Sequence, residues 1–162
     1  MTTKDAIKNT IDNGHMLLTT YVSDLSDADL MLRPVPGVNH IAWQLGHLIA
    51  AEHQMITQIG FDMPELPEGF EESYAKETST SDDAGKFLKK DRYLTLLEQQ
   101  RSATLAALES VSETDLDKPA PEDMRAYAAT YGEVFNIIGI HELMHGPQFI
   151  AVRRKSGKPV LI

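Results

Sequence analysis

A chain of 162 residues, 42% hydrophobic and without cysteine, has the size and apolar content of one globular domain spanning residues 1–162. Lacking cysteine, it can form neither a disulfide framework nor a thiolate metal site, so any metal must rely on His, Asp, Glu or water. Its net charge of −9 argues against a surface that tracks phosphates, and the N-terminus Met1-Thr2-Thr3-Lys4-Asp5 leads into no apolar segment, so the expectation is a soluble, cytoplasmic protein with neither nucleic acid nor membrane as partner.

Ala6, Ile7, Ile11, Met16 (or His15), Leu18, Tyr21 and Val22 recur at helical spacing and predict a first helix over about residues 4–24. Asn39 is a candidate cap for a second, in which Ile41, Leu45, Leu48, Ile49 and Met55-Ile56 follow at three- and four-residue steps until Gly60 stops it. Residues 60–80, with Pro64, Pro67 and Gly69, lack periodicity and read as a long surface loop. A third stripe runs through Phe87, Tyr93 (or Leu94), Leu97, Leu105 and Leu108. Thr130 with Glu133 forms a capping-box pattern opening a fourth helix through Val134, Ile137, Ile138, His141, His145 and Phe149 toward the basic cluster Arg153-Arg154-Lys155, whose cations complement the helix dipole. No segment alternates as a strand would, so the predicted fold is all-α: a four-helix bundle with a long loop between helices two and three.

The two halves echo one another. Leu25-Ser26-Asp27-Ala28-Asp29-Leu30 and Arg33-Pro34-Val35-Pro36 follow the first helix, while Val111-Ser112-Glu113-Thr114-Asp115-Leu116 and Lys118-Pro119-Ala120-Pro121 follow the third. Each is an acid-rich turn opened by a serine cap and followed by a proline pair, through duplication or a chance recurrence of one linker chemistry.

The chemistry concentrates in Gly139-Ile140-His141-Glu142-Leu143-Met144-His145-Gly146. Histidines four apart differ by about 40° around a helix and one turn along it, so they can share one ion; otherwise they are two histidines on a polar face. The flanking Ile137, Ile138, Ile140, Leu143, Met144 and Phe149 make this helix largely apolar, and buried histidines need partners. The same residues spell His-Glu-x-x-His, the signature of zinc peptidases, in which the glutamate activates a metal-bound water. Those enzymes take a third ligand downstream, and after His145 this chain has no Asp, Glu or His.

A third ligand must therefore lie upstream, at His15, His40, His47 or His53. His47 sits where the second helix is most apolar, beside Gly46, which allows close approach of a neighbouring helix or ligand. His53 lies about 120° away around that helix, and His40 about 10 Å away along its axis, where it can face only the mouth of the site. His15 reads as an ordinary partly buried histidine.

The turn Leu25–Leu30 with Arg33-Pro34-Val35-Pro36-Gly37, the segment Ile41-Ala42-Trp43-Gln44-Leu45-Gly46-His47-Leu48, and His141-Glu142-Leu143-Met144-His145 followed by Gln148 together resemble the DinB/YfiT-like metalloenzymes over nearly the whole chain. The resemblance implies a four-helix bundle with His47, His141 and His145 as ligands of a divalent metal ion (zinc, nickel or iron) that keeps open coordination positions. It also implies a homodimer and, since characterised members use glutathione, mycothiol or bacillithiol, a small-molecule substrate with a low-molecular-weight thiol as co-substrate. The expected activity is then that of a metal-dependent transferase or isomerase; the alternatives are a metal-dependent hydrolase and a metal-binding protein without turnover. Glu142 is the candidate catalytic base, or else a carboxylate that supports the ligands from behind. The order Gly146-Pro147-Gln148 departs from the family pattern, and Pro147 predicts a kink just past the ligands.

Overall fold

The structure, a computed structural model, describes residues 1–161. Six α-helices follow in chain order: α1 (Thr3–Val22), α2 (Asp27–Leu30), α3 (Ile41–Gln58), α4 (Phe70–Ser73), α5 (Lys90–Ser110) and α6 (Tyr131–Lys155). α1, α3, α5 and α6 are the four long helices of the predicted bundle, and the described residues contain no strand, only an isolated bridge between Pro119 and Thr130. No described helix is long and apolar enough to cross a membrane.

Local chemistry sets the helix ends. Thr2 and Asp5 close a reciprocal capping box on α1. The predicted cap of α3 is displaced by one residue, from Asn39 to His40, whose Nδ1 accepts a hydrogen bond from Trp43 N at 3.1 Å. Gly60 at φ 93° then ends α3, in the left-handed region that a side chain disfavours. At α6 the hydroxyl of Thr130 accepts from Glu133 N, while the Glu133 carboxylate reaches one residue further back, to Ala129 N. The two echoed turns share a cap: Ser26 Oγ accepts from Asp29 N, and Ser112 Oγ from Asp115 N, each at 3.1 Å.

α1 and α6 pack backbone to backbone. A Cβ at Gly139 would stand 2.4 Å from the carbonyl oxygen of Thr10, and one at Gly14 would stand 2.6 Å from that of Gly139, so neither position has room for a side chain. α6 runs as one helix from Tyr131 to Lys155 with Pro147 inside it, so the helical assignment continues past the ligands.

The core is divided. At one end Leu18, Tyr21, Leu45, Ile49, Tyr93, Leu96 and Phe149 cluster; at the other Ile7, Ile11, Ile56, Leu108, Val134, Phe135 and Ile138 do. Fully burying a side chain of this kind contributes ~1.5–3 kcal/mol, so both ends are strongly held. Between them every long helix turns polar: His15 on α1, Glu52 on α3, Gln100, Arg101 and Thr104 on α5, and Glu142 on α6. The candidate ligands lie at this waist.

The segment between α3 and α5 contains α4 and two 3₁₀ turns (Lys76–Thr78 and Ala84–Lys86), and it is tied down rather than free. Arg33 donates to the carbonyls of Val38 and Ser79 and pairs with Asp82, while Trp43 Nε1 donates to Thr78 Oγ1 at 3.0 Å. The Tyr74 ring lies on the α3 backbone, where a Cβ at Gly46 would meet it at 2.1 Å. Gly46 therefore admits a loop tyrosine, neither a neighbouring helix nor a ligand. Arg153 at the end of α6 is fully buried, donating to Tyr21 O at 2.8 Å and pairing with Asp24, so the basic cluster is partly consumed by the fold.

Candidate metal centre

His47 comes from the middle of α3, and His141 and His145 from successive turns of α6. Their ring centroids are 5.1 Å (His47–His141), 5.0 Å (His141–His145) and 5.7 Å (His47–His145) apart. One nitrogen from each lies within 4.8 Å of the others, the only such grouping of three among the described residues. Three imidazole nitrogens each about 2.0–2.1 Å from one ion can be no more than roughly 4 Å apart, so small side-chain adjustments suffice for them to hold one.

The electrostatics favour the ligating form. Burial pushes His141 down to about 4, with help from His47, and His145 down to about 3, with help from His141 and His47; burial also lowers His47. All three rings are neutral at pH 7 and offer lone pairs.

Two rings are oriented from behind. Gln44, fully buried one turn before His47, donates from Nε2 to the carbonyl of Asn39 at 2.6 Å. That contact fixes the amide with Oε1 toward His145 Nδ1, 2.7 Å away. Since the amide oxygen can only accept, Nδ1 of His145 carries the proton and Nε2 presents the lone pair. His47 stacks on Trp43, with centroids 5.0 Å apart and planes 7° from parallel.

The other histidines stand apart from the triad. His40 caps α3 and donates from Nε2 to Ser81 O at 3.0 Å; His53 Nδ1 donates to Gln100 Oε1 at 3.2 Å. His15 lies in the waist, with Nδ1 3.7 Å from Glu142 Oε1 and Nε2 3.4 Å from Glu98. Its interaction with Glu142 raises its pKa against the effect of burial.

Glu142 faces the waist. Its Oε1 lies 2.8 Å from Arg101 Nη2, which is also 3.2 Å from Glu52 Oε2, so one guanidinium serves two buried carboxylates. Burial raises Glu52 more than the guanidinium lowers it, with Glu142 adding to the rise, while Thr104 donates to Glu52 Oε1 at 2.7 Å.

Two of the three histidines, His47 and His141, border a cavity of about 350 Å³ between α3, α6 and the segment joining α5 to α6. His47, His141 and Tyr127 are among its walls. Tyr127 is the functional candidate that sequence reading passes over, since it sits in an aperiodic segment and only the fold brings it to the histidines.

The sequence profile of the DinB superfamily matches residues 10–149, a span that includes all three histidines. The chain belongs to the DinB superfamily. No curated protein matches it. Among solved structures, the DinB-type chain is similar to a conserved protein from Enterococcus faecalis, with a TM-score of 0.69 at 15% identity over 98% of this chain and 99% of that one. At that identity the likeness speaks for the fold alone, and it agrees with the all-α bundle.

Proposed function

We propose that this DinB superfamily protein is a metal-dependent enzyme that activates a low-molecular-weight thiol or a water, most closely a thiol-dependent transferase or isomerase. The observation that carries the reading is the triad: three neutral imidazoles on two packed helices, within 4.8 Å of one another, with a cavity along one side. Three protein ligands leave coordination positions free, as in catalytic rather than structural sites. A divalent ion held there would supply a positive charge that lowers the pKa of a thiol or water beside it.

The chain's own residues do the rest. His47, His141 and His145 hold the ion, and Gln44 keeps His145 in the ligating tautomer. Glu142, paired to Arg101 on the waist side, is assigned the second of the two roles its place next to His141 offers, that of a carboxylate positioning the ligand turn of α6.

Protein purified without a histidine tag is expected to carry about one divalent ion per chain by elemental analysis. His47→Ala, His141→Ala and His145→Ala should each lower that stoichiometry, and a low-molecular-weight thiol should raise the melting temperature only when metal is present. Unchanged metal content in all three variants would overturn the reading. Turnover without any thiol would favour the hydrolase.

A further inference from the structure

The cavity beside the triad has a composition that selects its occupant. Ala51 and Met55 of α3 and Ile137 and Met144 of α6 line it together with His47 and His141. Ala51 and Met55 follow His47 by one and two turns, and Ile137 and Met144 flank His141 by one turn each way, so ligands and apolar walls belong to the same two helix stripes. No Lys, Arg, Asp or Glu lines it, and its polar walls beyond the imidazoles are Gln54 and Tyr127. A carboxylate or ammonium placed there would lose water without gaining an ion pair, whereas a hydrocarbon group would be stabilised.

Size and rim agree. If each carbon-sized group takes about the 30 Å³ that a water occupies in the liquid, the space accommodates on the order of ten such groups. Its rim includes Tyr127 and Met144, 53% and 63% exposed, large apolar surfaces that a soluble protein gains little by displaying. Tyr127 is nonetheless held in place: buried Met124 and Ala128 flank it, Ala128 N donates to Met124 O at 2.9 Å, and the base of its loop is closed by Ala120 N to Ala129 O at 2.9 Å.

We propose that this cavity is the binding site for the uncharged alkyl or aryl portion of a small molecule whose donor atom reaches the triad, with Ala51 setting how much of it fits and Tyr127 covering it. The inference rests on the metal reading above and adds the substrate class: an apolar molecule, rather than one recognised through its charges.

The test uses the full chain loaded with cobalt(II) and titrated with ethanethiol, butanethiol and hexanethiol, reading the sulfur-to-cobalt absorption band; each thiol gives its proton to the buffer on binding. Affinity should rise about fourfold per added methylene, as expected for burial of a hydrocarbon chain. Ala51→Phe should abolish that dependence while cobalt, which Ala51 does not ligate, stays at about one ion per chain. Ile137→Ala enlarges the same space from α6 and should extend the gain to longer chains. A flat series in the parent protein with cobalt bound would overturn this inference alone; failure to bind cobalt would overturn the metal reading and this one with it.

Discussion

Gln44→Leu separates positioning from ligation, because Gln44 touches a candidate ligand but has no place on the ion. In the parent, a fully buried amide spans Asn39 O at 2.6 Å and His145 Nδ1 at 2.7 Å. Leucine nearly preserves the volume and removes both contacts. His145 Nδ1–H then has no acceptor and the ring loses its preference for the Nε2 lone pair, while the Asn39 carbonyl loses a donor. Loss of a supporting partner of this kind lowers metal affinity ~10–100-fold, equivalent to ~1.4–2.8 kcal/mol. The stranded buried polar groups should also cost the metal-free fold about 1–3 kcal/mol. Competition against a chromophoric chelator measures the first quantity, and urea unfolding of metal-free protein the second. Stoichiometry should remain near one ion, which distinguishes this variant from His145→Ala. Affinity within about twofold of the parent, in a variant that has lost the stability term, would refute the orienting role.

Two further outcomes are expected. Arg101→Met removes the guanidinium from between Glu52 and Glu142 and should cost ~3–5 kcal/mol in urea unfolding, as when one partner of a buried ion pair is lost. Adding Glu52→Gln to that variant should recover part of the loss, and no recovery would argue against a shared charge. For metal-free protein, the triad's lowered pKa values mean that the unfolded chain binds more protons than the fold between roughly pH 4 and the ordinary histidine value of 6.5, so stability should rise with pH across that window. Raised Glu52 opposes this above 4.5 with a single group against three, and raised His15 makes stability fall again as pH climbs past 6.5. Melting temperatures should therefore peak near pH 6.5, and the triple His47→Ala, His141→Ala, His145→Ala variant should lose most of the rising limb, His40, also lowered by burial, keeping its share; parallel profiles would contradict the assignment.

What could be read from the sequence follows from what is periodic. The four long helices announce themselves because apolar residues recur every three or four positions, and His141 and His145 belong to one such repeat. His47 emerged by elimination and by the family pattern, and the structure brings it to the other two. The waist was not legible. Gln100, Arg101 and Thr104 occupy the buried face of α5, where a hydrophobic stripe search sees only a gap between Leu97 and Leu105, and nothing in a linear reading says that Arg101 meets carboxylates 49 and 41 residues away. Gln44 stands inside the motif around His47, yet a linear reading assigns it no role, because an amide's function lies in which two groups it spans. Pro147 does not end α6: the helix is held against α1 by close backbone packing, tertiary support that offsets the hydrogen bond a proline removes.

That packing also explains how the three rings are held together. On α6 the glycines at 139 and 146 face α1, where a Cβ on Gly146 would meet Leu17 at 3.0 Å, and His141 and His145 lie on roughly the opposite side of the helix, toward α3. The glycine face sets how close α6 sits to α1 with almost no side-chain freedom between them. Glu142, on the flank between the two faces, ties the same turn to Arg101 of α5 and through it to Glu52 of α3, one turn beyond His47. The ligand turn is thus fixed from behind by backbone contact and from the side by a buried ion cluster, and neither constraint is made by the ligand nitrogens themselves. Rings held neutral and within reach of one another have little proton or conformational cost left to meet on binding. The buried charges at the waist are costly for stability, and their placement behind the ligands gives that cost a use in holding the ligand turn.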